Sequence, residues 1–221
     1  MKTICLMLFF SLLANTVFTD SHSSWKMQKR IDTATSIIHA FTEIPENSIP
    51  PSVLENCKGL AIISVLKGGF VIGGRGGGGI LLLKLPEVNT WSAPYAIATG
   101  GISLGFQLGV QQIDFILILN TEAAIEALSK DTCTIGADIA ASAGPVGRNA
   151  EIDATGQTAM YSYSRSKGLF AGISIKGTLI KEDKVINESF YGKAISVNDL
   201  LSGNIHRPAL AENLYNALEN K

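Results

Sequence analysis

One arginine stands alone inside a run of glycines. In KGGFVIGGRGGGG (Lys67–Gly79), glycine recurs at 68, 69, 73, 74 and 76–79, and Arg75 is the single charge among them. Glycine at that density serves backbone needs: positive φ, tight bends, or close approach of another chain or ligand. A guanidinium among exposed amides suits an oxyanion, because backbone nests and arginine forks both hold phosphate. A turn arginine facing solvent is the alternative. Gly74, Gly76 and Gly79 also satisfy G-x-G-x-x-G. The next residues, Ile80–Leu85, form a strand-like run with no N-cap and no helical period. No acid stands about twenty residues on, where a dinucleotide fold holds its ribose, and no Gly-Lys-Ser/Thr makes a P-loop.

Two further groups of cations stand out. Lys26, Lys29 and Arg30 crowd the start of an amphipathic stretch, where positive charge opposes the helix macrodipole and so suggests another use. Arg165 and Lys167 lie beside Tyr161 and Tyr163. This basic-aromatic patch suits a lipid headgroup or an acidic protein surface, or else is a cross-strand aromatic pair with solvated cations. Arg148 is isolated in the turn Gly144–Arg148.

Catalytic chemistry has no equivalent setting. His22, His39 and His206 form no metal spacing, and no Ser-His-Asp arrangement, paired-carboxylate spacing or nucleophile elbow occurs. Asp114, Asp138 and Asp153 read as strand-end or turn residues. The expectation is a protein that is not an enzyme and uses no cofactor or metal.

The elements that must position these residues emerge from composition and periodicity. With 46% hydrophobic and 17% charged residues in 221, the chain has enough apolar content for a substantial core and is not a disordered polymer. A net charge of −1 gives no global attraction to nucleic acid. Met1–Thr19 reads as a secretory signal, Lys2 followed by apolar Ile4–Ala14, with cleavage between 19 and 24. Without a cysteine after the apolar stretch, it lacks a lipid-attachment site, so the expected location is secreted or periplasmic. Cys57 and Cys133 then remain, able to pair or to stay as buried thiols.

Trp25–Ile44 reads as an amphipathic helix with Met27, Ile31, Ala34, Ile38 and Phe41 on one face. That face either inserts into a membrane surface, with Trp25 at the interface, or packs on the domain. Ile102–Val110 alternates strictly and reads as a strand, as do Leu60–Leu66, Ile80–Leu85, Ile113–Leu119, Thr132–Ala143, Met160–Ser166 and Leu169–Ile175. Short helices are expected at Ser52–Cys57, Glu122–Leu128, Asn198–Leu201 and Pro208–Leu218, and Lys181–Lys184 as a charged turn. The fold class is α+β: antiparallel strands curled into a barrel-like or sandwich core, with an N-terminal amphipathic helix (25–48) and C-terminal helices packed on it.

Nine stretches in order then carry a resemblance: CKGLAII, KGGFVIGGRGGGG, TWSAPYAI, GGISLGFQLGVQ, DFILILN, GADIAASAGPVGR, YSYSRSKGLFAGISIKG, FYG (Phe190–Gly192) and LLSG (Leu200–Gly203). Together they resemble the SYLF domain family, from about Ile49 to Gly203, which assigns 49–221 to that domain with its C-terminal helix. The resemblance implies a non-enzymatic lipid-binding module for anionic membranes, of phosphoinositide or phosphatidylglycerol type. It also implies an alternative role as a protein-interaction scaffold, binding actin as fungal members do or an envelope partner. By position, the implied lipid-binding residues are Trp25, Lys26, Lys29, Arg30, Lys58, Lys67, Arg75, Arg148, Arg165 and Lys167. The signal and the absence of an appended SH3 domain resemble the bacterial branch.

Overall fold

The computed structural model describes residues 24–43, 48–70, 72–85, 87–88, 90–104, 109–146, 158–166 and 175–219. The leader Met1–Thr19, Arg148, Asp153, Lys167 and most of Leu169–Ile175 lie outside the described residues.

Helix α1 (residues 24–42) and the short α2 (Pro51–Asn56) precede two long strands, β1 (Gly59–Phe70) and β2 (Ile72–Leu85). Then come β3 (Thr90–Trp91), β4 (Tyr95–Leu104), β5 (Gly109–Leu119), α3 (Glu122–Ser129), β6 (Cys133–Thr134), β7 (Ser142–Ala143), β8 (Met160–Ser166) and β9 (Leu179–Glu182). The chain closes with α4 (Lys184–Tyr191), α5 (Val197–Leu201), a 3-10 turn (Ala209–Ala211) and α6 (Glu212–Glu219). Three of these helices start on side-chain caps. Thr121, Asp183 and Ser196 accept from backbone N–H groups of α3, α4 and α5, each contributing about 1 kcal/mol.

Eight strands form one path, β6-β9-β4-β2-β1-β5-β8-β7, with β3 joined to β2, and the sheet curls into a half-barrel. The pairs are antiparallel except β7 with β8. Both faces are covered, which explains why the central strands are apolar at successive positions rather than alternating. On the first face, Leu60, Ile62, Ile80, Leu82, Ile116 and Ile118 meet Met27, Ile31, Ile38 and Phe41 of α1 and Leu214 and Tyr215 of α6. On the second, Ala61, Ile63, Leu81, Leu83, Phe115 and Leu117 meet Ile125 and Leu128 of α3 and Val197 and Leu200 of α5. Each fully buried leucine or isoleucine contributes about 1.5–3 kcal/mol.

The apolar stripe of α1 is therefore part of the domain core: Met27, Ile31, Ala34 and Ile38 are buried against the sheet. Of the two uses open to that stripe, the structure shows the packed one.

Several expectations are corrected. The glycine run is paired strand on both sides of the β1–β2 reversal, with Gly68 and Gly69 in β1 and Gly73, Gly74 and Gly76–Gly79 in β2, so Arg75 is a strand residue rather than a turn residue. Ile102–Val110 is not one strand. It includes the end of β4 and the start of β5, which run in opposite directions with β2 and β1 between them; residues 105–108 lie outside the described residues. Thr132–Ala143 is not continuous either: Asp138 accepts the Thr134 N–H at 2.6 Å in a turn, leaving two-residue strands at either end. Lys181–Lys184 is the end of β9 and the cap of α4, not a free turn. Cys57 and Cys133 are buried thiols that form no disulfide with each other, and they belong to the cores on opposite faces of the sheet.

Candidate binding surface

Helix α1 crosses the first face of the sheet. Near its start, Arg30 donates to the carbonyls of Gly79 (3.3 Å) and Ile97 and pairs with Asp183 at 2.5 Å; near its end, Arg165 of β8 donates to the Ala40 carbonyl at 2.8 Å. Gly78 makes the first of these anchors fit, because a Cβ there would lie 2.6 Å from the Arg30 guanidinium carbon. Burial pulls the Arg30 pKa below its ordinary value, and Asp183 pushes it back up. Asp183 also caps α4, so one carboxylate ties the first helix to the last part of the sheet.

Alongside α1, an open groove of about 790 Å³ runs over the bare part of β2. Its floor is Ser64, Gln112 and Gly76–Gly79, and its walls carry Trp25, Lys26, Lys29, Leu66 and Val185. Trp25 (57% exposed), Leu66 (57%) and Val185 (69%) are half of the large apolar side chains that stand exposed among the described residues. Lys29 Nζ sits 5.4 Å from the Trp25 ring centroid, in cation–π range. Among the described residues, no carboxylate lies within ion-pair distance of Lys26 or Lys29. On the floor, Asp114 is occupied by local bonds, accepting from Ser64 Oγ at 2.7 Å and Gln112 Nε2 at 3.2 Å.

Of the ten residues expected to meet lipid, Arg148 and Lys167 lie outside the described residues, and the other eight are dispersed. Trp25, Lys26 and Lys29 share the exposed start of α1. Arg30 and Arg165 are spent on holding that helix down. Lys58 pairs with Glu122 at 3.1 Å on a different part of the surface, while Lys67 and Arg75 face each other across β1 and β2 on the opposite face of the sheet. Sequence reasoning did not find Asp183, Leu66 or Val185. Asp183 had a signal, an N-cap acid before the amphipathic KVINESFY; the two apolar residues had none, since their exposure depends on where α1 stops covering the sheet. Among the described residues no cluster of three metal-ligating side chains occurs, and no helix is long and apolar enough to cross a membrane.

A family described as Las17-binding protein actin regulator, Ysc84, matches residues 100–221. The chain belongs to the Ysc84/SYLF family. Among its relatives is SH3 domain-containing YSC84-like protein 1 of Bos taurus, 43% identical over 194 residues, which are 84% of this chain and 57% of that protein. The human protein of the same name is 41% identical over 194 residues, again 84% of this chain and 56% of its own. LAS seventeen-binding protein 3 of Saccharomyces cerevisiae is 44% identical over 178 residues, 78% of this chain and 39% of that protein. This Ysc84/SYLF chain therefore spans less than two thirds of the length of the relatives it matches. No solved structure matches it.

Proposed function

We propose that this Ysc84/SYLF domain is a non-catalytic binding module for anionic membrane surfaces, and that contact is made by the leading end of α1. The observation that carries the reading is the exposed Trp25 flanked by Lys26 and Lys29, two lysines with no carboxylate in ion-pair range among the described residues. Tryptophan favours the membrane–water interface, and each lysine near an anionic surface adds about 1 kcal/mol, lost as salt rises. Because the apolar stripe is core, this is contact by a tip rather than insertion of a helix face. With Met1–Thr19 acting as a secretory signal, the domain meets such surfaces outside the cytoplasm.

Co-sedimentation of the full-length chain with phosphatidylcholine vesicles, with and without phosphatidylglycerol or a phosphoinositide, tests it. Binding is expected to require the anionic lipid and to fall with salt. The Lys26→Gln/Lys29→Gln variant is expected to bind about thirtyfold more weakly, from two contributions of about 1 kcal/mol each. Trp25→Ala should weaken it further while changing stability by less than about 0.5 kcal/mol. Binding indifferent to lipid charge, or undiminished in these variants, would overturn the reading.

A second reading, a scaffold for a protein partner in actin regulation, is favoured by the groove itself. Leu66 and Val185 are exposed in it, and relatives of this chain are named for binding Las17. Leu66→Glu would discriminate, abolishing capture of a protein partner while leaving vesicle binding through Lys26 and Lys29 unchanged.

A further inference from the structure

Asn187-Glu188-Ser189 satisfies N-x-S with a residue other than proline in the middle, the acceptor pattern for an N-linked glycan. No other asparagine of the chain has serine or threonine two positions on. Such acceptors belong on surface loops. Here the asparagine lies within α4 and is 0% exposed.

Its carboxamide does the work of a strand neighbour. β9 stops pairing with β4 at Ile97, and the next residue of β4 is Ala96. Asn187 Oδ1 accepts the Ala96 N–H at 2.8 Å, and Nδ2 donates to the Ala96 carbonyl at 3.0 Å. Nδ2 also donates to Glu182 Oε1 at 3.5 Å. Both backbone groups of Ala96, a residue with no exposed surface, are thereby paired, and α4 is tied to the sheet beside the Asp183 cap. Close-packed interiors have no room for a bulky hydrated substituent, and burying its hydroxyls without partners is costly.

Timing makes the amide available. Ala96 precedes Asn187 by 91 residues, but Leu214 and Tyr215 of α6, which share the first-face core with Ile186 of α4, follow it. When Asn187 emerges during synthesis, the core that buries it is still incomplete.

We propose that Asn187 is an N-glycan acceptor whose occupancy excludes the native fold: the carboxamide pairs with Ala96 or carries a sugar, never both. The donor is an oligosaccharide linked through diphosphate to a polyprenyl lipid. Nδ2 bonds to C1 of the first sugar and gives up a proton to base. The bond from C1 to the diphosphate oxygen breaks, and the lipid diphosphate leaves with the electron pair. The exclusion is a property of the fold. Its consequence in the cell rests on reading Met1–Thr19 as a secretory signal: export past an oligosaccharyl transferase disables the domain, and export without one leaves it intact.

Cell-free translation with endoplasmic reticulum microsomes, which hold donor and transferase, provides the test. The full-length chain is placed behind an added cleavable signal peptide, so the outcome does not depend on Met1–Thr19, and loss of the added peptide reports import. Imported wild type is expected to gain one mobility shift removed by endoglycosidase H. In detergent, the glycosylated form should be digested by protease about tenfold faster or more than chain made without microsomes, because cleavage follows the open population. Ser189→Ala keeps the buried amide and destroys the acceptor; it should stay unmodified and as resistant as unmodified wild type. Should Ser189→Ala fail to fold, excess acceptor tripeptide, which blocks transfer without altering the chain, must restore resistance to wild type. A glycosylated chain as resistant as the unmodified one, or imported wild type left unmodified, would overturn the proposal. Vesicle binding through Lys26 and Lys29 is measured on unmodified chain, so failure there and failure here are separately visible.

Discussion

Arg30 and Arg75 solve the same steric problem on opposite faces of one sheet and end with opposite electrostatics. Each lays a guanidinium over a glycine, Arg30 over Gly78 and Arg75 over Gly101, because any side chain there would collide with it. Both are desolvated enough for the pKa to fall below its ordinary value. Arg30 meets Asp183 and two carbonyls; Arg75 meets one carbonyl and, directly opposite, another cation. A guanidinium surrounded by its own acceptors is a fastener. One with donors to spare, beside a like charge, holds charge in reserve for something else.

The contrast is broken most forcefully at the fastener. Arg30→Gln leaves the Asp183 carboxylate, about one fifth exposed, without its partner and unties α1; urea unfolding should show a loss of about 3 kcal/mol. Gly78→Ala probes the same fastener by sterics. Displacing the guanidinium is expected to cost about 1–3 kcal/mol, and restoring glycine should restore the midpoint. On the other face the sign reverses. Thr99→Val removes a buried hydroxyl without a partner, and in phosphate-free buffer it should raise stability by about 1 kcal/mol. Smallest of all, Arg75→Gln should cost less than about 1 kcal/mol, since the one carbonyl bond lost is offset by relief of the repulsion with Lys67. A cost equal to that of Arg30→Gln would erase the distinction between the two arginines.

Much of the fold was legible because its signals are local. The Met27, Ile31, Ala34, Ile38 and Phe41 stripe, the short helix read at Glu122–Leu128, and the apolar runs of β1, β2 and β5 each declare an element within a few residues of chain. What the stripe packs against is not local. Its partners, from Leu60 to Ile118, lie on strands whose order no periodicity encodes, which is why the choice between membrane and core had to wait for the sheet. The glycines misled for a related reason. A glycine-rich strand and a glycine-rich loop share a composition, and they differ in what approaches the bare backbone: here Arg30 lies over Gly78 of β2, and Arg75 of β2 lies over Gly101 of β4. Sequence could nominate Lys26, Lys29, Arg30, Lys67 and Arg75 together as cations. It could not sort them into tip, fastener and reserve, because that depends on Asp183, more than 150 residues along the chain from Arg30, and on the register that sets Lys67 opposite Arg75.

A sheet with two greasy faces must also avoid recruiting other copies of itself edge to edge. Among the described residues, the outermost strands, β6 and β7, are two residues long, so each border is too short to template another strand. Among the described residues, charges stand where the next strands in extend past them: Lys181 and Glu182 on β9 beyond its pairing with β6, and Arg165 on β8 beyond its pairing with β7. The expected result is a chain of unusually apolar composition that stays dispersed at high concentration. Replacing Lys181 and Glu182 with threonine should leave the fold unchanged and lower the concentration at which light scattering first reports assemblies.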